Sequence, residues 1–188
     1  MTRLGPAANA ASAAGYTFCP AGPADLPMLR RWLEMPHVRE WWGDPETELG
    51  YIRDMIEGRD TTRPFIFSVD GGPVGYIQHW FLGDYQNASW IAEHPWLAEL
   101  PSDAVGVDLS IGDSARLSQG IGSGVLRAFA EGLVRQGYRT VVIDPDVANA
   151  RAVRAYMKAG FRAVPWLLGR TGDTLILQYD LNETDRHP

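Results

Sequence analysis

Cysteine is nearly absent from this 188-residue chain. Cys19 stands alone, which excludes an internal disulfide and any cysteine-based zinc site. The four histidines, His37, His79, His94 and His187, show no metal-ligand spacing, so no metal is expected. No apolar run approaches the roughly 20 residues needed to span a bilayer, and no membrane partner is expected. Positive charge is scarce as well. Lys and Arg total 17 against 23 Asp and Glu, a net charge of −6. That balance argues against a nucleic-acid partner, which would require a basic surface to displace counterions. It suits a partner that carries positive charge.

Apolar residues make up 45% of the chain, enough for a real core in a domain of ordinary size. Residues 1–15 are mostly Ala, Gly, Ser, Asn and Pro and read as a flexible leader. Their apolar centre is too weak for a secretory signal, which points to a cytoplasmic protein. The expected organisation is a single domain over 16–182 with a short tail at 183–188.

From Tyr16 the texture alternates between strand-like and helix-like segments. Tyr16–Cys19 reads as a strand, Pro23 to Leu33 as a helix, His37–Trp42 as a further helical turn and Pro45 to Glu57 as a helix. Phe65–Val69 and Val74–Phe81 flank Asp70-Gly71-Gly72, a hairpin signal. Gly83 to Asp103 lacks a period and is expected to be a long loop. Val105 to Ile111 alternates apolar with small or polar residues as a strand does, and a glycine-containing turn then leads into a helix to about Gln136. Thr140–Asp144, a helix from Asn149 to Ala159, and strands over Phe161–Leu168 and Leu175–Tyr179 complete a mixed α/β sheet.

Leu117-Ser118-Gln119-Gly120-Ile121-Gly122-Ser123-Gly124 joins that fourth strand to the long helix. Such a turn offers unpaired backbone N–H groups and the positive end of the helix dipole to a phosphate. It is not a P-loop, since no Gly-Lys-Ser/Thr stands at the required spacing. Downstream follows Asn149-Ala150-Arg151-Ala152-Val153-Arg154-Ala155-Tyr156-Met157-Lys158-Ala159-Gly160-Phe161. Together the two segments resemble the GCN5-related N-acetyltransferase superfamily, whose members use acetyl-CoA. Within it, the resemblance is strongest to aminoglycoside 6′-N-acetyltransferases. It rests on His37-Val38-x-Glu40-Trp41-Trp42-Gly43, Pro73-x-Gly75-Tyr76-x-Gln78, Gly106-Val107-Asp108 and Asp144-Pro145 leading to Asn149. Siderophore-precursor acyltransferases share much of the N-terminal half but typically carry a His near the position of Asp108. In the family's Arg/Gln-x-x-Gly-x-Gly/Ala pattern, the register set by Gly120 and Gly122 puts Leu117 first, so one side-chain contact to the cofactor is lost.

The resemblance implies a mostly antiparallel sheet of seven strands flanked by helices and splayed between its fourth and fifth strands. It implies an acetyl-CoA site made by Leu109, Ser110 and Ile111, by Leu117, Gln119, Gly120, Ile121, Gly122, Ser123 and Gly124, and by Asn149, Ala152, Tyr156 and Lys158. Acyl transfer from a thioester to an amine requires a neutral amine, donors for the developing oxyanion and a proton for the departing thiolate. Asp108 is unusual in a strand interior and would hold and deprotonate the amine, and Tyr156 would protonate the thiolate. For both, a plain structural role stays open from spacing alone. Trp41, Trp42, Tyr76, Gln78, Glu93 and Asp144 complete the expected acceptor site, with only one of the adjacent tryptophans facing it. No nucleophile suited to an acyl-enzyme is evident, so direct attack by the amine is expected. The partner would be a cationic small amine, and the protein a monomer or homodimer. The competing readings are a siderophore-precursor or polyamine N-acyltransferase, and a non-catalytic CoA-binding regulatory domain.

Overall fold

The computed structural model describes residues 15–181; the expected leader, apart from Gly15, and the expected tail lie outside them. β1 (Tyr16–Pro20), β2 (Arg63–Val69), β3 (Gly72–Phe81), β4 (Val105–Ile111), β5 (Val141–Ile143), β6 (Phe161–Ala163) and β7 (Leu177–Tyr179) form one sheet in the order β1-β2-β3-β4-β5-β7-β6. All neighbours are antiparallel except β4 and β5, which run parallel. That parallel contact is short, with only Val105 opposite Val141 and Gly106 opposite Val142. Beyond Gly106 the two strands part, and the predicted splay is present.

Three helices, α1 (Leu26–Leu33), α2 (Pro36–Trp42) and α3 (Pro45–Ile56), cover one face of the early strands. Their apolar residues Leu29, Leu33, Val38, Leu49 and Ile52 pack with Ile66 and Tyr76. The opposite face carries the long α6 (Ile121–Arg135), whose Val125, Leu126, Phe129 and Leu133 join Phe67, Ile77, Val105 and Val107 in the main core. α6 makes the crossover from β4 to the parallel β5, and α7 (Ala150–Lys158) follows β5 and leads to β6. Among the described residues no helix is long and apolar enough to cross a membrane.

Two expectations change. The stretch 83–103 is not a structureless loop. It holds α4 (Leu82–Tyr85), α5 (Ala88–Glu93) and a 3-10 turn at Pro95–Glu99. These elements are too short to show a period, yet each has a local cause: the Asn87 side chain caps α5 by accepting from Trp90 N, and Pro95 opens the next turn. Trp96, Leu97 and Leu100 anchor this cap in a core of its own with Leu82, Val142, Val164 and Ile176. The sixth strand is also shorter than Phe161–Leu168. It ends at Ala163, and Pro165 opens a 3-10 turn, because proline has no N–H to continue a ladder.

Candidate functional site

Period-two alternation decides what faces the cleft. Gln78 lies opposite Asp108 in the β3–β4 ladder, and Tyr76 lies opposite Ser110, so all four project to one face. Tyr76 Oη donates to Gln78 Oε1 (2.6 Å), which turns the Gln78 amide so that Nε2 donates to Asp108 Oδ2 (2.9 Å). The Trp80 indole, too, acts on Asp108, lowering its carboxyl alongside Gln78. Trp80 reaches it by lying flat on Gly106, where a Cβ would sit 2.1 Å from the indole. Asp108 is thus held by the neutral Gln78 donor beside the Trp80 indole, and among the described residues no cation forms an ion pair with it.

Asp144, just past β5, stands across the splay. Burial raises the Asp144 carboxyl well above its ordinary value, and the charge of Asp108 raises it further. Burial raises Asp108 too, while the bonds from Gln78 and Trp80 oppose that rise. Two like charges so placed titrate as a pair. Both acids lie deep yet remain part-accessible, and both line the main cleft of about 620 Å³. Tyr156 on α7 lines it as well, and its phenol is pushed far up, chiefly by burial and then by the charges of Asp108 and Asp144.

At the other end the turn before α6 is open. Gly120 is the helix N-cap with φ of 81°, a left-handed conformation natural to glycine, and no side chain caps the helix. The first helical amide to find a carbonyl is Gly124 N, on Gly120 O. Among the described residues, therefore, the N–H groups of Ile121, Gly122 and Ser123 have no backbone acceptor. Leu117, Ser118, Gly120, Gly122 and Ser123 line the cleft beside Leu109, Ser110 and Ile111. Across from them, Arg151, Arg154 and Lys158 bring three cations to the same cleft. Amide donors, a helix N-terminus and basic side chains together fit a pyrophosphate.

Residues 22–167 match the family described as an acetyltransferase (GNAT) domain. The chain belongs to that family. This acetyltransferase is 32% identical over 145 residues to the aminoglycoside N(6′)-acetyltransferase type 1 of Klebsiella pneumoniae, covering 73% of this chain and 69% of that protein. It is also 27% identical to the lysine N-acyltransferase MbtK of a Mycobacterium species, over 77% of this chain and 59% of the other. Its fold superposes on AAC(6′)-Ib in complex with paromomycin and acetyl-CoA with a TM-score of 0.74, at 26% identity and over 92% and 97% of the two chains. The mixed seven-stranded sheet of this acetyltransferase is the GNAT fold of that relative.

Most of the expected site residues meet in one cleft, Asn149 and Ala152 included, although the Asn149 Oδ1 is already occupied in capping α7 through Ala152 N (3.1 Å). Several do not. Glu93 is exposed on α5 and does not line the cleft. Gln119 turns back to donate to Ala115 O, Ile121 is buried in the main core, and Gly124 is the floor under Tyr16, whose hydroxyl a Cβ would meet at 2.1 Å. Tyr76 is buried and reaches Asp108 only through Gln78. Both tryptophans line the cleft, since Trp42 faces it while resting edge-on against Tyr76 at 5.7 Å. Sequence reasoning missed Glu48, a half-buried carboxyl in the cleft wall raised by burial and by Asp108. It also missed Arg151 and Arg154, which the i, i+3, i+7 spacing with Lys158 would have revealed. His37 lines the cleft with Nε2 2.8 Å from Ile111 O, at the end of the splayed strand.

Proposed function

We propose that this protein transfers the acetyl group of acetyl-CoA to a primary amine of a polycationic small molecule, with the 6′-amine of aminoglycosides as the acceptor. One observation carries the reading. Asp108 sits at the splay, part-accessible and without a basic partner among the described residues, between an open phosphate turn and a second buried acid. The aminoglycoside acetyltransferase relative and the complex of AAC(6′)-Ib with paromomycin and acetyl-CoA support this choice of substrates.

In this mechanism the acceptor ammonium is drawn in by Asp108 and Asp144 and loses a proton to Asp108, directly or through a water. The neutral nitrogen attacks the thioester carbon, the C–S bond breaks as the carbonyl re-forms, Tyr156 supplies a proton to the departing sulfur, and the second proton shed by the new amide nitrogen passes through water to restore Tyr156. The backbone N–H groups of Leu109 and Ile111, on the side of β4 that β5 leaves open, would receive the developing oxyanion. Leu117 to Ser123 and the cations of α7 would hold the pyrophosphate, and Asn149 and Ala152 would lie along the pantetheine. No acyl-enzyme is needed. The use of acetyl-CoA places the work in the cytoplasm.

The test is thiol release from acetyl-CoA with kanamycin and a panel of other amines, with the acetylated nitrogen located by NMR. Turnover with kanamycin at its 6′-amine supports the reading. Preference for a hydroxylysine-type amine or a polyamine overturns the substrate, and acetyl-CoA binding without thiol release on any amine overturns the enzyme.

A further inference from the structure

The last turn of the splayed strand is gripped from the helical layer. Gly112 N donates to Val74 O (2.9 Å) and Val105 N to Thr140 O (3.0 Å). Even-numbered residues of β4 therefore turn their backbone groups to β3, and odd-numbered ones turn theirs to the β5 side. Beyond Gly106 the β5 pairing has ended, and the N–H and C=O groups of Leu109 and Ile111 line an open edge. On such an edge an N–H favours a developing oxyanion, while a carbonyl turns the negative end of its dipole toward it. Of the two carbonyls on this stretch, the one beside the glycine turn is closed. His37 Nε2 lies 2.8 Å from Ile111 O, and since a carbonyl only accepts, that nitrogen carries a proton and donates it.

Local sequence aims the ring. Pro36 opens α2, Val38 is buried with Leu33 and Leu49, and His37 and Trp41, one turn apart, face the cleft together. A second contact holds the same spot: Trp32 of α1 lies over Gly112, where a Cβ would sit 2.2 Å from the indole. We propose that His37 is a positioning residue for acyl transfer, engaging the Ile111 carbonyl so that the edge beside Ile111 N–H offers the thioester oxygen a donor without a competing acceptor. The inference rests on the function proposed above, in which Leu109 and Ile111 N–H receive the oxyanion. The proton stays on His37 throughout. Its effect belongs to the transition state, where the charge on that oxygen is greatest, and hardly touches cofactor binding.

His37 is part-exposed, so its side chain can change without opening the core. His37→Phe keeps a ring and loses the donor, and His37→Gln keeps a donor at similar reach. H37F should lower kcat with kanamycin about tenfold, less than the loss of a direct oxyanion donor, with the KM and the calorimetric Kd for acetyl-CoA within about twofold. H37Q should recover most of the loss. A second readout needs no acceptor: the infrared carbonyl stretch of acetyl-CoA labelled with carbon-13 at its carbonyl should fall on binding, since N–H donors polarise the thioester. H37F should lose about half of that fall and H37Q should keep it. An unchanged kcat and stretch in H37F overturn the proposal and leave the proposed function standing. So does an H37Q as impaired as H37F, which makes the ring and not its proton the cause. A raised Kd for acetyl-CoA at unchanged kcat overturns it in favour of a plain cofactor contact. If no amine is acetylated, the proposed function fails and the stretch alone decides: a fall lost in H37F and kept in H37Q supports His37, and equal values in all three proteins overturn it.

Discussion

The two ends of the cleft hold opposite charge by opposite means. The α6 end presents backbone amides and the exposed cations of α7, all on local structure that one turn and one helix supply. The Asp108 end presents carboxylates and aromatic rings drawn from β3, β4, the segment after β5 and the 82–104 cap, which lie far apart in the chain. A phosphate site made of amides tolerates side-chain change, because any residue brings an N–H. An acceptor site made of side chains from separate elements does not, and a substitution there removes the function it carried. Under the proposed function the contrast follows from the ligands: a cofactor common to a superfamily needs a general cradle, and an acceptor particular to one branch needs chosen side chains.

That contrast is tested first where the effect is largest. Asp108→Asn should lower kcat by about 10²- to 10³-fold, the range for losing a general base, while acetyl-CoA binding by calorimetry stays as it was. Gly120→Ala is its mirror. A Cβ at φ of 81° is strained by about 1 kcal/mol or more and points into open space at the turn, so the KM for acetyl-CoA should rise about tenfold with kcat little changed. If either substitution moved the other parameter equally, the two ends would not be separable.

Tyr156→Phe should lower kcat by up to about tenfold, since water replaces the proton donor. Its raised phenol keeps the proton across the assay range, so any alkaline limb of the rate profile should survive in the variant. Under the proposed mechanism the acid limb belongs to the Asp108–Asp144 pair, which must lose a proton before a base is available. Burial raises both carboxyls, so the limb should fall above the ordinary carboxylate range. Gln78→Leu removes a hydrogen bond that opposes the rise at Asp108 and should move that limb further up in a kcat/KM profile.

The smallest effect on activity is expected at His79, the neighbour of Gln78 on the opposite face of β3. It packs against Phe65, Phe81 and Phe129, its Nδ1 has no hydrogen-bond partner among the described residues, and burial lowers its pKa from 6.5 to about 4. Below pH 6.5 the unfolded chain gains a proton there that the folded chain does not. Stability should therefore fall as pH drops from 6.5 toward 4, by about 3 kcal/mol in all. His79→Phe should flatten that slope, read from urea midpoints at pH 7 and 4.5, and leave the acid limb of activity in place.

Much of this was legible from the chain. The alternation of Tyr76 and Gln78 on one strand and Asp108 and Ser110 on the other put the acid on the polar face, and the glycine turn announced an open helix N-terminus. Local patterns of this kind survive folding because they need only their own neighbours. Glu93 and Glu48 show the boundary. Both are acids on helices, and one faces solvent while the other lines the cleft. The 82–104 cap is a second case, since its turns are too brief for periodicity and its rings gain meaning only when set behind Asp108 and Asp144.

The order of strands and helices, the open glycine turn and the strand acid were determined by the sequence, since hydrophobic period and backbone freedom act within a few residues. Which acids face the cleft, how Gln78 holds Asp108, and that aromatic rings of the 82–104 cap lie beside it were decided only in three dimensions. The splay of β4 from β5 brings those groups together across long stretches of chain, and their burial, which sets their charge and chemistry, exists only once the layers have packed.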